Sequence, residues 1–581
     1  MKVFSLFFIV ILAVCITSCE DKLDKFPLDR MTPSTFFSTE EELKLYSNKF
    51  YIDILPDAAD IYQESADAII ITPPSSAVTG QREIPATGGG WTWGALRRIN
   101  FLLANSVNCP DDNVRNQYNG LAKFFRAYFY FEKVKRFGDV PWYNQVLGST
   151  DEELYKPRDS RVLVIDSVMK DLDFAIEHLP AEKSLYRISR WTALALKSRV
   201  GLFEGTFRKY HGLSDYERLL DASISASDRL MKESGYTTYK TGNAAYRDLF
   251  ATQTARDQEV ILARNYSADL SLFHNVQSYE NSSTTGRPGL SKMIVNSYLT
   301  SVGTRFTDLP GYATMQFHEE TQDRDPRLAQ TIRTPGYMRI GGSAQVAPNI
   351  AYALTGYHLI KYTVQTSFDA YNRSTVDIPL FRMGEIYLNY AEAKAERGTL
   401  TQPDINLSVK LLRDRISMPN LNMAAANASP DPYLLSPETG YPNVTGPNAG
   451  VILEIRRERT VELIMEGFRY DDIMRWKAGK RFEKPFLGVY FPAPGTYDLD
   501  RDGKSDVTLY TGTPPSTTAP LVLQLGEDIR LSENTKGYII VHDLITRQWN
   551  ENRDYLYPIP IQERSLSNGT LTQNPGWEDG L

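Results

Sequence analysis

The run Val451 to Lys480, VILEIRRERTVELIMEGFRYDDIMRWKAGK, constrains this chain more than any other. It contains no Pro, its first Gly is Gly467, and Gly479 falls where a helix should stop. Val451, Ile455, Leu463, Met465, Phe468, Ile473, Met474 and Trp476 return at helical intervals, which gives an apolar face. Glu454, Glu458, Glu462 and Glu466 recur every fourth residue, stacking like charges on one stripe. Such a stripe is unfavourable without neighbouring cations, and Arg456, Arg457, Arg459 and Arg469 can supply them. The run predicts a helix pair whose packing is fixed by an ion-pair network. A two-metal carboxylate site usually adds Glu-x-x-His pairs, and no His occurs here.

The run R-R-E-R-x-V-E-L-x-x-E-G-F-R-Y-D-D-I-x-R-W, from Arg456 to Trp476, resembles the C-terminal signature of the SusD/RagB family. Those proteins are surface lipoproteins of Bacteroidetes that capture nutrients, usually glycans, for a TonB-dependent transporter. Further stretches resemble the family from Leu23-Asp24-x-x-Pro27 to Asn574-Pro575-Gly576-Trp577. They include Arg98-Ile99-Asn100-Phe101-Leu102, Arg324-Asp325-Pro326-Arg327-Leu328, and the helix around Glu385-Ile386-Tyr387-Leu388. The resemblance implies an all-α, mainly helical fold, a tetratricopeptide-like scaffold of helix pairs with long irregular loops and a few short strands. It implies a SusC-like transporter as partner and an oligosaccharide as ligand.

Met1-Lys2 precedes an apolar run from Val3 to Val14, too short to span a membrane stably and shaped like a signal peptide. Ile16-Thr17-Ser18-Cys19 has the form of a lipobox, with residues 1–18 removed and lipid added at Cys19. Cys15 is the rival, but Val14 before it is a poor cleavage residue. Glu20-Asp21 resembles the signal that sends such lipoproteins to the outer face of the outer membrane. The acyl chains would supply the anchor. That leaves Cys109 alone and no intramolecular disulfide. The formal net charge of -7 offers no basic surface for nucleic acid.

We divide the mature chain into an N-terminal region, 19–235, and a C-terminal region, 236–581, forming one compact unit. Thr39 with Glu42 makes a capping box that opens a helix through Tyr51. Further helices are expected over Leu96–Asn105, Asn116–Phe137, Val162–Leu179, Thr192–Phe207, Tyr216–Glu233, Pro379–Arg397 and Leu407–Ile416. Gly201 and Gly205 would allow close helix approach. Residues 236–380 look irregular, with Glu259 to Leu262 as a short buried strand or helix. Residues 418–448 read as a loop.

No local pattern supports catalysis. The six His never pair at i+3 or i+4. His318-Glu319-Glu320 lacks the second His of a zinc-protease motif, which would fall at Gln322. Asp498-x-Asp500-x-Asp502-Gly503-x-x-Asp506 is a stronger signal, because alternate carboxylates on a tight loop converge on a hard cation. Asp498, Asp500, Asp502 and Asp506, with the Lys504 carbonyl, are expected to hold a structural calcium ion. Leu509 at the twelfth position and the extended look of Val507 to Tyr510 exclude an EF-hand. No catalytic cofactor is expected.

The resemblance makes a cell-surface glycan binder, rather than an enzyme, the first reading. A binder of peptide or another non-glycan ligand is the second reading, and a glycoside hydrolase the third. Sugars stack their C–H faces on flat aromatics, so binding residues are sought among aromatics on loops. The Gly-rich loop at 72–93 offers Trp91 and Trp93, with Arg82 and Asp67 near in sequence. The aperiodic stretch 266–287 offers Tyr266, Phe273, His274 and Tyr279.

Overall fold

The computed structural model describes residues 36–578. The expected signal peptide, Cys19 and the acidic pair after it lie outside the described residues. The chain is mainly helical. Helix α1 (Glu40–Asp53) opens on the expected capping box, with Thr39 accepting from the Glu42 amide and Glu42 accepting from the Thr39 amide. Then come α2 (Gly94–Asn105), α3 (Asp112–Phe137), α4 (Arg161–His178), α5 (Arg190–His211) and α6 (Tyr216–Glu233). The α3 start lies earlier than the apolar period suggested, because Asp111 caps the amides of Asn113 and Val114.

Successive helices form antiparallel-type pairs, α3 against α4 and α5 against α6. A Cβ on Gly201 would sit 2.7 Å from the Leu219 carbonyl oxygen, and one on Gly205 would sit 2.8 Å from Leu220 Cδ2. These glycines let α5 and α6 touch backbone to backbone, as the sequence suggested.

The expected helix over 379–397 is corrected at its start. Strand β2 (Ile378–Arg382) pairs antiparallel with β1 (Val260–Arg264), and helix α7 (Met383–Arg397) follows. Val260, Ile261 and Leu262 are buried, so this pair is a core ribbon and its strands read as apolar runs. Residues 418–448 also depart from a plain loop, because Met423–Ala428 and Pro432–Leu435 are short helices.

The run 451–480 forms two helices, α8 (Ala449–Glu462) and α9 (Arg469–Arg475). The turn between them uses positive φ at Met465 (60°) and Gly467 (78°). Every residue of α8 is buried. The glutamate stripe is neutralised mostly by cations from elsewhere in the chain. Glu458 takes Arg327 at 2.6 Å and Arg413 at 2.8 Å; Glu462 takes Arg382 at 2.9 Å and Arg415; Glu466 takes Arg382 at 2.6 Å and Lys361 at 2.7 Å. Of the four arginines nominated from sequence, only Arg457 serves the stripe, pairing with Glu454 at 2.7 Å. Arg456 pairs with Glu396, Arg459 with Asp472 and Arg469 with Asp67.

After α9 the chain builds short strands β3 (Phe486–Phe491), β4 (Gly495–Tyr497), β5 (Val507–Tyr510), β6 (Leu521–Gln524) and β7 (Gly537–Val541). Strand β3 pairs with β7, and β4, β5 and β6 form a small sheet. The main apolar core draws on residues from Phe37 to Leu571, and a second cluster packs α7 against α8 through Ala391, Val451 and Ile455. No helix of the described residues is long and apolar enough to cross a membrane.

Candidate ligand-binding site

Four chain segments far apart in sequence meet beside β6 and β7. Backbone hydrogen bonds tie the first three together and hold the fourth against β7. The Thr72 amide donates to Gly286 O at 2.8 Å, the Leu354 amide to Arg287 O at 3.1 Å, and the Ile540 amide to Arg530 O at 3.0 Å. Between them lies a crevice of about 510 Å3, lined by Thr72, Ser283, Arg287, Leu354, Arg530 and His542 among others. The size suits one or two sugar-sized groups.

Two lining residues hold strained backbones. Arg287 has φ 48° and His542 has φ 58°, values that non-glycine residues rarely adopt. Such residues persist where the surrounding structure over-determines them, and they cluster at binding sites. Arg287 Nε donates to Ala351 O at 2.8 Å and Nη2 to Ile350 O at 3.1 Å. Partial burial pushes its guanidinium below the ordinary value, with no carboxylate acting against that burial. The His542 ring is held 2.8 Å from Ile71 O, and burial lowers its pKa. Glu527 and Asp528 stand exposed at the rim. The Asp528 carboxylate accepts the Gln524 amide at 2.8 Å.

A second, apolar cleft of about 460 Å3 lies between α2, the 141–155 segment and the C-terminal helix Ile561–Leu566. Trp91, Trp93, Tyr143 and Tyr155 line it. Trp91 is core, with 4% of its surface exposed, and stands edge-on to Phe137 at 4.9 Å and to Trp93 at 5.4 Å. Trp93 is half-buried, 5.6 Å from the Tyr143 ring. Only Trp93 of the pair therefore keeps a usable face.

Arg82, Asp67, His274, Tyr279 and Tyr266 are committed to packing. Arg82 is buried against Asp554 at 3.1 Å and lies 4.3 Å over the Tyr557 ring. Asp67 bridges Arg469 and Arg481, each at 2.6 Å, and these cations hold its carboxyl well below the usual range despite burial. His274 is buried with its ring 2.8 Å from Val376 O, and burial lowers its pKa to about 4. Tyr279 is buried 5.3 Å from the Tyr62 ring. Tyr266 is half-buried, its hydroxyl accepting the Ala58 amide, and its ring meets His274 at 4.4 Å. Phe273 is half-buried. The structure thus joins Trp91 to Trp93 and Tyr266 to His274, but places neither pair in the crevice. What reaches it from the two nominated loops is Thr72, Ser283 and Arg287. The Gly286-Arg287-Pro288 run offers the one local signal, a cation between two backbone-restricting residues. Arg530 and His542 carried none.

In the loop between β4 and β5, carboxylate oxygens of Asp498, Asp500 and Asp506 lie within 4.8 Å of one another. Asp498 Oδ1 is buried with no hydrogen-bond partner. Burial, helped by Asp500 and Asp498, pushes the Asp506 carboxyl up to about 6. An oxygen-seeking cation fits this donor set. Asp502 turns away to the Lys504 ammonium at 2.6 Å, so it leaves the expected ligand set.

A family model described as the SusD family matches residues 249–577. A second, described as "Starch-binding associating with outer membrane", matches residues 95–202. SusD-like protein P38 of Formosa agariphila is 23% identical over 84% of this chain and 94% of its own length. SusD-like protein P2 of the same organism is 23% identical over 86% of this chain and 95% of its own. A SusD-like protein from Bacteroides fragilis superposes with a TM-score of 0.67 at 22% identity, covering 95% of this chain and 100% of that one. Another from that species, described as a SusD-like carbohydrate binding protein, gives 0.68 at 20% identity, covering 92% and 99%.

Proposed function

The chain belongs to the SusD family, and on that premise we propose that it captures an oligosaccharide at the cell surface and passes it to a TonB-dependent outer-membrane transporter. The observation that carries the reading is the crevice at Thr72, Ser283, Arg287 and His542, built by loops on a helical frame. Its polar groups are spaced among apolar walls, as recognition of hydroxyls and C–H faces requires. The carbohydrate-binding description of a structural neighbour supports the same class of ligand. Lipid on Cys19 anchors the protein with its ligand face outward. Capture proceeds without bond cleavage. The Asp498, Asp500 and Asp506 loop holds a calcium ion that stiffens the β4–β5 connection.

A second reading places the sugar in the aromatic cleft, on the free face of Trp93 beside Tyr143 and Tyr155. A glycan panel with the mature chain tests both. Loss of binding in Arg287→Gln supports the crevice, and loss in Trp93→Ala with Tyr155→Ala supports the cleft. Recovery of a large β-barrel on gentle detergent extraction supports the transporter; recovery of this chain alone speaks against it.

A further inference from the structure

Arg287 lines the crevice without an ion-pair partner among the described residues. Arg287 spends Nε and Nη2 on the carbonyls of Ala351 and Ile350. Nη1 has no hydrogen-bond partner among the described residues. Neutral carbonyls satisfy hydrogen bonds, but they do not neutralise a half-buried charge. Many buried guanidiniums of this protein meet carboxylates, as Arg382 meets Glu466 and Arg469 meets Asp67, whereas Arg324 and Arg333 are held by neutral oxygens. Arg287 belongs to the second group and opens on the crevice. Arg530 stands at the same crevice, 44% exposed and joined to Asp543 at 3.3 Å.

Resting on the proposed glycan reading, we infer that the ligand is an acidic oligosaccharide, with one carboxylate or sulfate group seated on Arg287 and Arg530 beside it. Both anions present coplanar oxygen pairs to a guanidinium edge, and such charge-assisted bonds are the strong ones. The carboxylates of Glu527 and Asp528 at the rim repel further negative charge. They favour a sugar chain bearing isolated acidic groups over one charged at every residue. The hydrogen bonds to Ala351 and Ile350 hold the guanidinium in place before ligand arrives, so little ordering is left to the binding step.

The test is an array carrying neutral, uronate-bearing and sulfated oligosaccharides, followed by titration of the best binder against Arg287→Gln and Arg530→Gln. Gln tolerates φ 48° no worse than Arg, and Arg530 is exposed, so the second variant keeps the test valid should the first fold poorly. Hits fall among acidic sugars, whether uronate or sulfate identifies the anion, and each variant weakens binding by about tenfold or more. Hits confined to neutral sugars overturn the inference and leave glycan capture standing. Acidic hits that both variants bind at full strength overturn the assignment to Arg287. No hit of any kind overturns the inference and the glycan reading together.

Discussion

Arg382 and Glu466 meet side on in the interior, Nε to Oε2 at 2.6 Å and Nη2 to Oε1 at 2.7 Å, each almost free of solvent. The same guanidinium reaches Glu462 at 2.9 Å and Glu259 at 3.0 Å. One side chain from the end of β2 therefore binds two members of the glutamate stripe, Glu462 at the end of α8 and Glu466 in the turn after it, and a residue beside β1. Neighbouring carboxylates hold Arg382 well above its ordinary pKa.

Removing that arginine strands three buried carboxylates with fewer cations. Arg382→Met should cost about 3–5 kcal/mol of stability, the range for breaking a buried ion pair from one side. Chemical denaturation measures it. A loss below about 1 kcal/mol would show that Lys361 and Arg415 suffice.

Stability should depend on pH in two opposed ways. Arg415, Arg382 and Arg327 overcome burial to hold Glu462 near about 2, and Arg475 does the same for Glu392, also about 2. Their folded values lie below the unfolded ones, so the stability they give is present above about 4.3 and lost as pH falls toward 2. Burial pushes Glu64 and Glu280 up to about 7. The folded state then binds more protons than the unfolded, so stability falls as pH rises from about 4.3 to 7. Buried His274 and His211, lowered to about 4, act the other way over the same range, so the test is the difference between variant and wild type. Glu64→Gln should gain in urea midpoint relative to wild type as pH rises from 4 to 7, and a difference that stays constant over that range would contradict this.

Local signals in the sequence were legible where one short segment settles the structure. The Thr39–Glu42 capping box, the amphipathic run Tyr216–Glu233 and the small faces of Gly201 and Gly205 each act within a few residues or one helix pair. The glutamate stripe announced an ion-pair network, but its partners come from afar; Arg327 is 131 residues from Glu458. The β2 strand was missed because Ile378 to Arg382 is as apolar as a buried helix turn. The two tryptophans stand out as aromatics on a Gly-rich loop, while burial gives Trp91 to the core. The crevice was illegible because Thr72, Arg287 and His542 meet only through tertiary hydrogen bonds.

Calcium should raise the melting temperature, and chelation should lower it. Asp506→Asn should remove that sensitivity. Because the Asp506 carboxyl is raised to about 6, calcium affinity should fall as pH drops below 6. Elemental analysis after dialysis against calcium checks occupancy; no retained metal would refute the site.

Cys19→Ala should yield a protein that folds yet no longer partitions with the outer membrane. Cell fractionation reads this directly. Unchanged attachment would move the anchor elsewhere.

The crevice is the centre of this account, and a crystal structure with the best-binding oligosaccharide tests it most directly. Sugar density should lie against Ser283, Arg287 and His542. Density on Trp93 and Tyr155 in the aromatic cleft, with the crevice empty, would contradict it.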